Sequence, residues 1–113
     1  MRRLMLALAL WPGLAAAEVW EPLSGLRLHE ALSARVLAEE SGATTNFFAD
    51  GRSLREEGNG SDWGRWRVDG ETACLQAAAE EDWQCFQVER QGIDLRFSGE
   101  ADDIRVMRYI DLH

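Results

Sequence analysis

Short runs of alternating apolar and polar residues, separated by turn residues, make up most of this chain. Ile93, Leu95 and Phe97, for example, occupy every second position, which is the pattern of a half-buried β-strand. Two of the links between runs are the pairs Asp50-Gly51 and Asp69-Gly70, which suit the positive φ of tight hairpin turns. The close spacing of the runs predicts an antiparallel β meander.

The predicted fold is mainly β, with about seven to eight short strands in a strongly curved sheet or small barrel. A short N-terminal helix over Gly25–Leu32, which Ser24 can cap, is expected to pack on it. In the last strand the alternation places Ile104, Val106 and Ile110 on the dry face. The candidate strands are Arg35–Glu40, Thr44–Ala49, Arg52–Glu57, Trp63–Val68, Thr72–Gln76, Trp83–Arg90, Ile93–Ser98 and Ile104–Asp111.

The first residues are typical of a signal peptide. The basic start Met1-Arg2-Arg3 is followed by the apolar run 4–11 and by the small-residue site Ala15-Ala16-Ala17. We therefore expect cleavage before Glu18. The alternative, a transmembrane anchor, needs about 20 apolar residues, and Pro12-Gly13 interrupts this run too early.

Removal of a signal peptide at residues 1–17 leaves room for a single domain at residues 18–113. Its apolar stretches are all short, so we expect no membrane attachment after cleavage, and a location in the periplasm or outside the cell. The chain has 20 acidic and 12 basic residues and a net charge of -8. Removal of the signal peptide takes away Arg2 and Arg3, so the net charge of the mature chain is more negative still. Such acidity repels nucleic acid and favours cationic partners or simple solubility.

Cys74 and Cys85 are the only cysteines of the chain. Export places them in an oxidising compartment, where an even number of cysteines argues for pairing. Chain-entropy arguments give a bridge over so short a loop about 3 kcal/mol, against a total stability on the order of 5 kcal/mol for a small domain. We expect the disulfide to be a condition for folding.

The sequence offers little support for a cofactor or metal site. A dinucleotide-binding fingerprint would begin at Gly58 and Gly60, but Trp63 takes the place of its third glycine and no helix pattern follows. The two histidines, His29 and His113, lack a third ligand once the cysteines pair. The acidic turns also lack the alternating oxygen ligands of a calcium loop. We expect no cofactor and no metal.

Catalytic residues are equally hard to assign. A nucleophile needs a base beside it, yet both cysteines are expected to be oxidised and no serine lies in a Gly-x-Ser-x-Gly turn. Among 20 acidic residues some carboxylate pair always lies at a workable separation, so such a pair carries no information. We predict no catalytic residue, and an enzyme is the third-ranked hypothesis.

Tryptophan and acidic turns are the best candidates for contact with a partner. Trp66 alternates with polar neighbours as a core residue does, whereas Trp63 and Trp83 flank two segments expected to be exposed. The first of these is a flexible loop at Gly58–Asp62, and the second is an acidic turn. The candidate partner-binding residues are Trp63, Trp83, Asp62, Glu80, Glu81 and Asp82.

Several motifs resemble those of small exported proteins of alphaproteobacteria, over nearly all of the mature chain. They are Leu23-Ser24-Gly25, Ala31-Leu32, Phe47-Phe48-Ala49-Asp50-Gly51, Gly64-Arg65-Trp66-Arg67-Val68-Asp69-Gly70, Cys74, Cys85-Phe86-Gln87-Val88 and Gly92. The resemblance implies a periplasmic domain of unknown function and carries over no catalytic residue. Some of these relatives are labelled dihydrodipicolinate reductase, an activity that needs a nicotinamide-binding half for which this sequence has no fingerprint.

Two functional hypotheses follow. The first is a non-catalytic periplasmic binding or accessory module that presents its acidic turns and Trp63 or Trp83 to another protein, as lysozyme inhibitors do. An acidic surface would speed its encounter with a basic enzyme. The second is a small lipocalin-like barrel that holds an apolar ligand between sheet and helix. Because side chains almost fill the interior of eight short strands, the binding surface ranks above the cavity.

Overall fold

A computed structural model describes residues 19–78 and 81–111 of the chain. The predicted signal peptide, its cleavage site at Glu18, and the residues Glu80 and His113 lie outside this part. Among the described residues no helix has the length and apolar character needed to cross a membrane.

The described residues form one helix and a series of short strands, which confirms the mainly β prediction. Each predicted strand is present close to its expected position. The elements are β1 (Glu21–Leu23), α1 (Gly25–Leu32), β2 (Arg35–Glu39), β3 (Thr44–Phe47), β4 (Arg52–Glu57), β5 (Gly60–Asp69), β6 (Thr72–Gln76), β7 (Gln84–Gln91), β8 (Asp94–Ser98) and β9 (Ile104–Tyr109).

The strands close into a barrel. From β2 to β9 each strand pairs in antiparallel fashion with the next, and β9 pairs back onto β2 with Met107 opposite Glu39. The result is an eight-stranded barrel, to which β1 adds by pairing with β7 through Leu23 and Val88. Full pairing of the barrel strands satisfies their backbone groups and confirms the small-barrel form of the prediction.

Tight turns make these short connections. Gly51 and Gly70, the second residues of the two Asp-Gly pairs, have φ of 95° and 62°, the left-handed region that glycine adopts without strain. The expectation of a flexible loop at Gly58–Asp62 is wrong, because β5 already begins at Gly60, opposite Glu57. A two-residue turn with Gly58 at positive φ is enough to join the two strands.

Helix α1 covers one end of the barrel. Its buried residues Leu28, Ala31 and Leu32 recur at the spacing of one helical face, which turns that face toward β2, β5 and β6. Ser24 occupies the N-cap position as expected, although its side chain makes no capping hydrogen bond. Burial of this face, and not helix propensity, therefore holds so short a helix in place.

Aromatic side chains form much of the buried core of the barrel. Phe86 and Phe97 meet edge to face with ring centroids 6.1 Å apart, and the indole N–H of Trp66 donates to the carbonyl of Phe48 over 2.7 Å. The buried core residues of the barrel are Leu37, Phe47, Trp66, Ala73, Phe86, Val88, Leu95, Phe97, Met107 and Tyr109. These side chains form one packed core with the buried face of α1.

The orientation of β9 differs from the sequence expectation. Ile104 and Val106 are 58% and 46% exposed, whereas Met107 and Tyr109 are buried. Both sets alternate and both are apolar, so the pattern alone fits either face. Closure of the barrel determines which set faces inward, because Met107 lies opposite Leu95 on the neighbouring strand and both side chains are buried.

Candidate functional site

A cavity of about 390 Å³ opens at the end of the barrel remote from α1. The helix covers the end where Gly70 and Tyr109 lie, as its hydrogen bonds with these residues show. The cavity is lined instead by residues from the other strand ends, such as Asp62 and Arg105, and by the loop between β6 and β7. We call it the mouth cavity. The barrel thus has one packed end and one open end.

Ion pairs hold the two arginines of the mouth cavity. Arg55 lies between two carboxylates, with nitrogens 3.3 Å from Glu39 and 3.0 Å from Glu57. The hydrogen bond with Glu57 raises the pKa of Arg55 above its ordinary value, so this group stays charged. Arg105 donates two hydrogen bonds, each with a nitrogen–oxygen distance of 3.2 Å, to the carboxylate of Asp103. Both guanidinium groups are therefore committed to carboxylates of the chain itself.

Two hydroxyl groups lie deeper in the cavity. Thr45 and Ser53 are only 7% and 8% exposed, and both line the cavity wall. Thr45 lies opposite Leu37 and Arg55 in the strand register, on the inner face of the barrel. Within residues 19–78 and 81–111 neither hydroxyl has a hydrogen-bonding partner. Hydroxyls at these positions are free to bond to whatever occupies the cavity.

Apolar groups and a glycine complete the wall. Leu75 and Met107 line the cavity beside the hydroxyls. At Gly64 an added Cβ would lie 2.3 Å from the carbonyl oxygen of Gln76 and 3.1 Å from the hydroxyl of Ser53. Glycine therefore lets β5 and β6 approach closely and keeps this part of the wall free of a side chain.

The structure places the predicted partner-binding residues at separate sites. Asp62, Glu81 and Asp82 line the mouth cavity, while Glu80 lies outside the described residues. Trp63, which is 53% exposed, instead stacks on Phe48 with ring centroids 5.7 Å apart. The guanidinium of Arg52 lies 5.2 Å from the ring centroid of Phe48 and 5.3 Å from that of Trp63. Phe48, Arg52 and Trp63 form what we call the outer aromatic cluster.

Trp83 is half-buried, and the guanidinium of Arg67 lies 4.2 Å from the centroid of its ring. The nearby Cys74 and Cys85 lie opposite each other in the register of β6 and β7, with sulfur atoms 2.02 Å apart, a disulfide distance. Cys74 is fully buried and Cys85 is exposed. The bond closes the loop that carries Glu81 and Asp82 to the cavity.

Sequence reasoning missed the inner residues of the cavity, Thr45, Ser53, Arg55 and Arg105. One signal was available in β4, whose sequence Arg-Ser-Leu-Arg-Glu-Glu has Leu54 as its only strongly apolar residue. A barrel strand without apolar alternation has a polar inner face, and so points to an interior that side chains do not fill.

No protein-family model, curated protein or solved structure matches the chain. The described residues contain no group of three or more His, Cys, Asp or Glu side chains that could hold a metal ion.

Proposed function

We propose that this protein is a non-catalytic binding protein that holds a small polar molecule in the mouth cavity. The observation that carries this proposal is the pair of buried hydroxyls, Thr45 and Ser53, which line a cavity and have no hydrogen-bonding partner among the described residues. Burial of a hydroxyl without a partner costs about 1–3 kcal/mol. A ligand that hydrogen-bonds to both would recover this free energy on binding.

The size of the cavity supports a small ligand. A volume of about 390 Å³ corresponds to about a dozen water molecules at ~30 Å³ each, and lies near the lower end of known ligand sites. The lining also alters the lipocalin-like hypothesis in one respect. Because hydroxyls and charged groups surround Leu75 and Met107, we expect a polar ligand with a short apolar part, and not a purely apolar one.

Native mass spectrometry of the mature protein, purified from the periplasmic extract of its own cell, tests the proposal. The variant Thr45→Val/Ser53→Ala removes both hydroxyls with little change in volume. The matched control Thr44→Val/Ser61→Ala makes the same chemical changes on the outer face of the barrel. Thr44 and Ser61 lie there because each precedes an inward-facing residue in its strand. We expect a bound small molecule in the wild type and the control, and about tenfold weaker binding in the cavity variant.

Two results would contradict the proposal. One is a ligand retained equally by the cavity variant and the control. The other is a protein that carries no small molecule and whose amide signals at Thr45 and Ser53 do not shift when the low-mass fraction of the extract is added.

The exposure of Trp63 favours a second candidate, the periplasmic interaction module. The outer aromatic cluster offers two stacked rings and a guanidinium, a composition enriched at protein interfaces. A pull-down from the periplasmic extract with Trp63→Ala, and with Ile104→Ala as an exposed apolar control, tests this candidate. A partner lost from the first variant and kept by the second would support it. Equal recovery with both variants would contradict it.

A further inference from the structure

We infer that the molecule bound in the mouth cavity is an aliphatic amine that binds as an ammonium ion. This inference rests on the proposed function and adds the chemical class of the ligand. It follows from the distribution of charge around the cavity and from the position of the two buried hydroxyls.

The cavity is lined by more carboxylates than its two arginines neutralise. Arg55 pairs with Glu39 and Glu57, and Arg105 pairs with Asp103. Three further carboxylates line the cavity, and among the described residues none of them forms an ion pair. They are Asp62, Glu81 and Asp82. The lining therefore has a net negative charge, which raises the local concentration of cations.

Asp62 has the most informative position of the three. It lies directly opposite Arg55 in the register of β4 and β5, yet the guanidinium of Arg55 bonds to Glu39 and Glu57 instead. An anionic ligand would have to displace these existing pairs before it could bind to Arg55. A cation can bind to Asp62 without disturbing them.

The hydroxyls of Thr45 and Ser53 supply the second, independent observation. Both residues are more than nine-tenths buried, line the cavity and have no hydrogen-bonding partner among the described residues. A hydroxyl oxygen accepts hydrogen bonds, and an ammonium group has three N–H bonds to donate. Leu75 and Met107 lie in the same wall and can contact methylene groups. Carboxylates, hydroxyl acceptors and apolar contacts together match a short aliphatic amine.

Three probes of equal chain length test the inference: 1,4-diaminobutane, 1,4-butanediol and succinate. Affinities come from isothermal titration calorimetry, and the site comes from amide shifts of Thr45, Ser53 and Asp62. We expect the diamine to bind in the cavity at least tenfold more tightly than the diol, and succinate not to bind. The affinity of the diamine should fall as salt is added, because part of it is electrostatic.

Two variants separate local charge from net charge. Asp62→Asn removes one cavity carboxylate and keeps its shape, whereas Glu71→Gln removes an exposed carboxylate at the turn between β5 and β6. We expect about fivefold to tenfold weaker diamine binding in the first variant and no change in the second. Equal loss in both would mean that only the net charge matters, and would overturn the inference.

The remaining outcomes distinguish this inference from the proposed function. If the diol or succinate binds in the cavity as tightly as the diamine, the preference for a cation is wrong while the proposed function stands. If the diamine shifts no amide signal of the cavity, the inference is also wrong. The proposed function fails as well if the protein carries no small molecule and the low-mass extract fraction leaves those signals unchanged, or if the Thr45→Val/Ser53→Ala variant and its control retain a ligand equally.

Discussion

Tyr109 is the only tyrosine of a chain that contains no lysine, and this makes the alkaline stability of the protein unusually simple to interpret. The cysteines are paired and arginine does not lose its proton, so Tyr109 is the one side chain expected to titrate between about pH 9 and 12. Its hydroxyl is buried and donates to the carbonyl of Ala31 in α1. Tyr109→Phe therefore tests the contact between the barrel and the helix.

At neutral pH we expect Tyr109→Phe to lower the free energy of unfolding by about 1.5 kcal/mol. The substitution removes one buried hydrogen bond and leaves the carbonyl of Ala31 without this donor. The phenylalanine ring can keep the contact with the guanidinium of Arg35, which lies 3.9 Å from the ring centroid. For a domain of this size the melting temperature should fall by about 6–12 °C.

The pH dependence gives a second, independent measure of the same contact. Burial raises the pKa of Tyr109 above its ordinary value of 10.0, against a smaller opposing effect of Arg90 and Arg35. The folded protein therefore favours the neutral phenol, and its contribution to stability is complete below pH 10. This contribution is lost as the pH rises from 10 through the raised pKa. The total loss of stability is about 1.4 kcal/mol for each unit by which the pKa of the folded state exceeds that of the unfolded state.

Urea unfolding between pH 7 and 12, together with the absorbance of tyrosinate, measures both effects. The wild type should lose stability above pH 10, and Tyr109→Phe should show a flat profile over the same range. A variant that keeps the alkaline loss would show that another process causes it. A cost below about 0.3 kcal/mol at pH 7 would show that the hydroxyl does not hold the helix.

Three further predictions follow from other contacts. The double variant Cys74→Ala/Cys85→Ala should lose about 3 kcal/mol of stability by thermal melting, as should the reduced wild type, because the bridge spans 11 residues; a loss under 1 kcal/mol would refute this. A hydrogen bond from Arg35 lowers the pKa of Asp111 below its ordinary value of 3.8, so the ionised carboxylate stabilises the folded protein above that pH and this stabilisation is lost in acid. Asp111→Asn should therefore cost about 1 kcal/mol of stability at pH 7 and reduce the fall of urea stability at acid pH. An unchanged fall at acid pH would contradict this. Gly64→Ala should destabilise the protein to urea by about 1–3 kcal/mol, because its Cβ would meet backbone; unchanged stability would show that the strands yield freely.

Much of the barrel could be predicted from local patterns, because each turn and strand carries its own signal. The Asp-Gly pairs specify hairpin turns through the conformation of Gly51 and Gly70, and the alternation of Leu95 and Phe97 specifies an inner face. Val106 and Met107 lie side by side and are both apolar, so no local signal separates inside from outside there. That choice depends on the closing pair between β9 and β2, a contact distant in sequence.

The candidate site could be predicted only in part, for a related reason. Asp62, Glu81 and Asp82 stand out in the sequence as acidic residues of expected turns, but their position around a cavity depends on barrel closure. The polar sequence of β4 signals a polar inner face, but it does not single out Ser53, and Thr45 alone gives no signal because a strand accepts threonine on either face. A hydroxyl becomes informative only once the register shows that it faces inward.

The two ends of the barrel differ in how their interiors are filled. The half beneath α1 is packed with aromatic and aliphatic side chains, whereas the open half leaves Thr45 and Ser53 buried and Asp62 without an ion pair among the described residues. The two buried hydroxyls cost stability when nothing bonds to them, so their presence is expected where they bind a ligand. The disulfide fits the same division, because it constrains the loop that carries Glu81 and Asp82. Under the proposed function, a bond that restricts this part of the chain before binding reduces the entropy lost when a ligand binds.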